Sequence, residues 1–138
     1  MTNALPSVPF WSYYDEEDHT IHGLARLDAD VLNVEFQMMD DEDKLQEKIH
    51  YMTIRLADLD AVRFSRNVFS ATLTLRVRSL SLLQAIPATR QGEWKLRFHR
   101  KYRDEAHTLA AQLRLRMSER KIKQIDEEMR KLDEDNRG

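Results

Sequence analysis

Cysteine is absent from the 138 residues, which excludes disulfides, thiol nucleophiles and thiolate metal sites. Glycine occurs three times, at Gly23, Gly92 and Gly138, too scattered to build a phosphate-cradling loop. No serine stands in a G-x-S-x-G elbow. No apolar run approaches the roughly 18–20 residues of a membrane-spanning helix. The opening MTNALPSVPFW has no basic segment followed by an apolar stretch, so a secretory leader is not expected and a cytoplasmic protein is.

What is present is charge, 33% of all residues, and it is unevenly placed. Residues 1–60 carry 14 acids against 4 bases. Residues 61–103 carry ten bases against the single acid Glu93, and residues 104–138 are nearly balanced. The formal net charge of -2 therefore hides an acidic first half and a basic second one. Oppositely charged strands could pair across a sheet. Alternatively, the basic block could form one face for an anionic partner.

Side chains alternate with a period of two over most of the chain. Residues 1–9 read as an extended arm, followed by an aromatic cluster, Phe10, Trp11, Tyr13 and Tyr14, docking as an irregular strand. Ile21, Gly23, Ala25 and Leu27 share one side of a strand. Leu32, Val34, Phe36 and Met38 alternate with polar neighbours, as do Met52 and Ile54, Val62 and Phe64, Leu73, Leu75 and Val77, and Trp94, Leu96 and Phe98. Each series predicts a half-buried strand. Ser79–Ile86 suits one or two helical turns stopped by Pro87. Near Arg103 the period changes to that of a helix: Ala106, Leu109, Ala110, Leu113 and Met117 make one face, with Asp104 and Glu105 in the first turn. The expected fold is mainly β (α+β), a bent antiparallel sheet or partly open β-barrel of six or seven strands capped by a long C-terminal helix.

Beyond Met117 the apolar stripe moves. Leu115, Ile122 and Met129 recur every seven residues, and so do Ser118, Ile125 and Leu132. They suit the a and d positions of about two and a half coiled-coil heptads. In a parallel pair, Arg114 would face Glu119 of the other helix and Lys121 would face Asp126, both opposite in sign; Glu128 against Asp133 is not. Residues 1–117 thus form one body, with an arm over 1–19 and a closing helix from about 103, and residues 118–138 form a charged helical extension. Leu115, Ile122, Ile125, Met129 and Leu132 are the candidates for self-association.

Three stretches, IHYMTIRLADLDAVRF, ATLTLRVRSLSLLQAIPATRQGEWKLRFHR and KYRDEAHTLAAQLRLRM, follow one another as strands, a short helix, a last strand and a closing helix. That order resembles bacterial pleckstrin-homology (PH)-like domains. The resemblance implies a bent seven-stranded partial barrel plugged by its final helix, acting as a binding or scaffolding module and not as an enzyme. Lipid-binding members carry paired bases around the first hairpin; here LDADVLNVEF has Asp28 and Asp30 at its tip and only Arg26 nearby.

Chemistry-bearing constellations are sparse, so no catalytic residue, metal site or cofactor is expected. His19 and His22 lie beside Asp15–Asp18 but point to opposite faces of a strand. The Asp40–Asp43 run lacks the spacing of a calcium loop. The feature above background is the set Arg63, Arg76, Arg78, Lys95 and Arg97, alternating with core residues on three strands. If those strands are neighbours, the five form an anion-binding face. Nucleic acid is disfavoured as its ligand, because Trp94 and Phe98 point the other way, and a membrane surface is weakly supported. The expected partner is a second copy or another protein.

Overall fold

The computed structural model describes residues 7–13, 19–39, 48–78, 80–86, 89 and 91–136. Seven strands follow in chain order: β1 (Val8–Tyr13), β2 (Thr20–Asp28), β3 (Val31–Met38), β4 (His50–Arg55), β5 (Leu59–Arg66), β6 (Ser70–Val77) and β7 (Glu93–His99). A short helix, α1 (Leu80–Ala85), precedes β7, and a long one, α2 (Arg103–Asn136), follows it. The strands form a single antiparallel sheet in the order β4-β3-β2-β1-β7-β6-β5. The protein is mainly β, an open sheet capped by one C-terminal helix.

The expectation of a β-barrel is corrected in one respect: the sheet does not close. β4 and β5 are its two edges, although they are successive in the chain. Between them a single 3-10 turn, Leu56–Asp58, redirects the backbone. Leu56 N–H bonds to the Asp30 carbonyl at the β2–β3 turn, 3.0 Å, while among the described residues β5 pairs only with β6. On this side α2 packs against β5 and the 3-10 turn that joins the two edges. Alternation in a sequence says which face of a strand is buried; it carries no information on whether the edges meet.

β1 is more regular than the aromatic cluster suggests. Val8 and Pro9 belong to it, and all six residues are in register with β2, from Val8 opposite Ala25 to Tyr13 opposite Thr20. Its other side meets β7 at one register pair, Trp11 opposite Arg97. Gly23 sits between Phe10 and Phe36 in the pairing, and a Cβ there would collide with the Glu35 carbonyl. Glycine is therefore required by close approach, not by an unusual dihedral.

The core is built from the inward positions of every strand, including Ile21, Leu32, Ile54, Leu73, Leu75, Leu96 and Phe98. Trp94 is fully buried at its centre, with Phe10 and Phe36 presenting edges to it at 5.7 and 6.4 Å. Among the described residues its Nε1–H has no partner, a cost that the large apolar area of the indole offsets. From α2 come Ala106, Leu109, Ala110 and Leu113, all buried. The two alanines let the helix lie close to the sheet, and the two leucines fill it.

Candidate functional site

α2 begins where the chain leaves β7. His99 Nδ1 accepts the Lys101 N–H, 3.2 Å, capping a 3-10 turn over Arg100–Tyr102. Asp104 and Glu105 then occupy the first helical turn, where the helix dipole favours acids. No glycine or proline interrupts the helix to Asn136. After Met117, which is half-buried, every residue from Ser118 to Asn136 is exposed. At 1.5 Å per residue, these residues make an exposed rod of about 28 Å, whose start flanks the body.

The five residues singled out for self-association all lie exposed on this helix: Leu115, Ile122, Ile125, Met129 and Leu132 are 49–62% accessible. At 100° per residue, their stripe, with Ser118, is centred roughly 140° around the helix from the Ala106–Leu113 face. A partner helix on this stripe would approach from the side away from the sheet. The rod also carries Glu119, Lys123, Glu127, Lys131 and Asp135 at successive four-residue steps. Alternating signs at that spacing support a helix without tertiary contacts, by about 0.2–0.5 kcal/mol per pair. Where the rod passes the β2–β3 turn, Arg120 Nη1 comes within 3.8 Å of Asp30 Oδ2.

A groove of about 680 Å³ separates the start of this rod from the edge of the sheet. Leu56, Leu59, Val62 and Met117 line its apolar part, and Arg78, Arg114 and Lys121 its polar part. Arg78 is committed within the body, to Asp60 at 2.8 Å.

The arginine set is brought partly together. Arg63 and Lys95 flank Thr74 in one cross-strand row, Arg76 lies beside Glu93 in the next, and Arg97 lies opposite Thr72 and Trp11 in a third. Arg78 falls just beyond the end of β6. Two of the five are neutralised: Arg63 Nη2 meets Glu93 Oε1 at 3.0 Å, and Arg78 is paired as above. Among the described residues, Arg76 and Lys95 make no ion pair. Each of the two ion pairs is exposed and contributes at most about 1 kcal/mol.

The outer face is not without aromatics, as the sequence suggested. Trp11 and Tyr13 lie on it, packed edge to face at 5.1 Å. The Arg97 guanidinium stands 5.6 Å from each ring centre, a cation–π arrangement. The alternation of β1 held the signal: Val8, Phe10 and Ser12 point inward, so Trp11 and Tyr13 point outward.

His22 lies on the same face, opposite Trp11, with Nε2 3.1 Å from Thr20 Oγ1. Burial lowers its pKa below the ordinary histidine value, because the charged ring loses hydration. No cluster of three potential metal ligands occurs among the described residues. Asp15–Asp18 and Asp40–Asp43 lie outside them. No described helix is long and apolar enough to cross a membrane. No protein-family model, curated protein or solved structure matches the chain.

Proposed function

We propose that this protein is a non-catalytic, PH-like interaction module that self-associates through the projecting half of α2, forming a parallel dimer. The observation that carries the reading is the heptad-spaced stripe Leu115–Leu132, exposed on a helix that nothing else in the chain covers among the described residues. Seven antiparallel strands closed by a C-terminal helix support the PH-like part, and the reading includes a cytoplasmic setting.

Charge supports the parallel orientation. The e positions Glu119, Asp126 and Asp133 are all acidic. An antiparallel pair would set these acids against one another, whereas a parallel pair sets Glu119 and Asp126 against Arg114 and Lys121. The first half of α2 is already fixed on the sheet, so the second half extends an existing helix and bears no nucleation cost. Completing the burial of ten half-exposed side chains contributes roughly 8–15 kcal/mol. Association costs about 4–15 kcal/mol. The two ranges overlap, so the seam by itself gives a weak dimer.

Light scattering of the full chain across concentration tests this, with Ile122→Asp/Ile125→Asp as the control. A dimer that the double substitution dissociates supports the reading; a monomer at high micromolar concentration overturns it. Orientation is tested separately with Ser118→Cys, since the chain has no other thiol. Introduced thiols at a d position oxidise to a covalent dimer only if the helices run parallel and in register.

A second reading is an anion-binding outer face. Arg76, Lys95 and Arg97 beside Trp11 favour it, with Arg63 and Arg78 reduced by their ion pairs. Charge reversal of Arg76 and Lys95 should then abolish binding of an acidic partner.

A further inference from the structure

The turn joining β5 to β6 has an unusual composition. Its two central residues, Val68 and Phe69, are 64% and 78% exposed, at positions that ordinarily hold Gly, Asn, Asp or Ser. The backbone around them is nonetheless well satisfied from within. Asn67 N–H donates to the Ser70 carbonyl, 2.9 Å. Asn67 Oδ1 accepts the N–H groups of Phe69 and Ser70, at 2.8 and 2.9 Å. From the start of α2, Arg103 Nη1 donates to the carbonyls of Asn67 and Val68, at 3.0 and 3.5 Å. The turn is therefore braced, with its apolar side chains outward and most of its polar backbone already bonded. Such backbone can leave water at little cost.

Cations surround this tip. Arg66 ends β5, and Arg100 and Lys101 occupy the turn after β7, whose last residue, His99, is in register with Ser70. All three are exposed, and among the described residues none forms an ion pair. Lys101 Nζ lies 5.6 Å from the Tyr102 ring. β1 runs antiparallel to β7, so its last residue, Tyr13, lies toward the opposite end of the sheet. The only acids close in sequence are Asp104 and Glu105 in the first turn of α2.

We propose that the Val68–Phe69 turn is a wedge that enters the headgroup layer of a negatively charged bilayer, with Arg66, Arg100 and Lys101 resting on the anionic lipid. Shape selects a bilayer over a protein. Two side chains at a hairpin tip are convex and small, far below the roughly 1,200 Å² of a stable protein interface, yet they suit a fluid medium that closes around them. The inference stands without the dimer. In a parallel dimer it is strengthened: α2 starts beside the turn and runs away from it, so both wedges would share one pole and bind with avidity.

The test is co-sedimentation of the full chain with vesicles of phosphatidylcholine containing about 30% phosphatidylserine, against phosphatidylcholine alone. Binding should need the anionic lipid and weaken with salt. Phe69→Asp should lower partitioning about tenfold or more, with the thermal melt unchanged because the site is exposed. Each reversal among Arg66→Glu, Arg100→Glu and Lys101→Glu should cost at least about fivefold. Phe69→Trp should give an emission that shifts to the blue on binding. No sedimentation with the anionic vesicles at high micromolar lipid and protein overturns the proposal. So does binding that ignores Phe69→Asp, which would leave the turn to a protein contact. Binding that depends on charge while the Phe69→Trp emission stays fixed also overturns it, since the protein would then only adsorb. Ile122→Asp/Ile125→Asp should weaken vesicle binding without abolishing the emission shift, separating a failed dimer from a failed wedge.

Discussion

The two halves of α2 share one unbroken backbone and obey different physics. Between Ala106 and Leu113 the helix is held by tertiary contact, with four side chains buried against the sheet. From Ser118 to Asn136 nothing is buried, and local terms must hold it: propensity, four-residue charge spacing and continuity with the docked half. The apolar stripe turns away from the sheet at the same point. A helix with one continuous stripe would belong wholly to the body; a stripe that swings to the far side offers a second surface. The distal turn has acids, Asp133, Glu134 and Asp135, and no base, the wrong sign for the helix dipole.

This contrast can be broken most forcefully in the buried half. Leu113→Ala should cost about 2–5 kcal/mol of folding stability through the cavity it leaves, read by chemical denaturation, and Leu132→Ala should leave the monomer within about 0.5 kcal/mol. Equal losses would erase the distinction between the halves. In the exposed half, Ile122→Asp/Ile125→Asp should weaken self-association more than about a hundredfold, because four carboxylates would enter the seam of each dimer. Its denaturation midpoint, measured well below the dimer dissociation constant, should not move. Lys123→Gly should be milder: about 1 kcal/mol of rod helicity per chain, read as lost ellipticity and up to roughly thirtyfold weaker association, since both helices carry it.

The smallest effect lies on the sheet and involves pH. The His22 pKa is lowered in the folded protein by burial, so between that value and about 6.5 the unfolded chain binds more protons. The histidine's contribution is complete above pH 6.5 and is lost as the pH falls toward the folded value. His22→Gln should flatten this slope in melts between pH 5 and 7, by a modest amount because the ring is only partly buried.

Strand existence was readable residue by residue. Leu73, Leu75, Trp94, Leu96 and Phe98 alternate with polar neighbours and are the buried positions of β6 and β7. The change of period near Arg103 marks the start of α2 within a residue. The open edges were not readable, because edge pairing depends on how far the sheet curls. The pairing of Arg63 with Glu93 was not either, since it joins residues 30 apart across a strand order that alternation does not specify. Trp11 was not placed on the outer face because the aromatic cluster was treated as one unit; the strand splits it, Phe10 inward and Trp11 outward. The Val68–Phe69 turn was missed because two apolar residues between two strands look like more strand.

The order of residues by itself settled which positions face a core, where strands give way to a helix, and that the last quarter of the chain carries two apolar stripes. These follow from fixed periods, two for a strand and 3.6 for a helix, which are properties of the local backbone. Folding in three dimensions decided the strand order, the unsealed edges, the partners of the arginines and the exposure of Val68–Phe69. Those depend on contacts between residues far apart in the chain, and such contacts are chosen by packing as a whole.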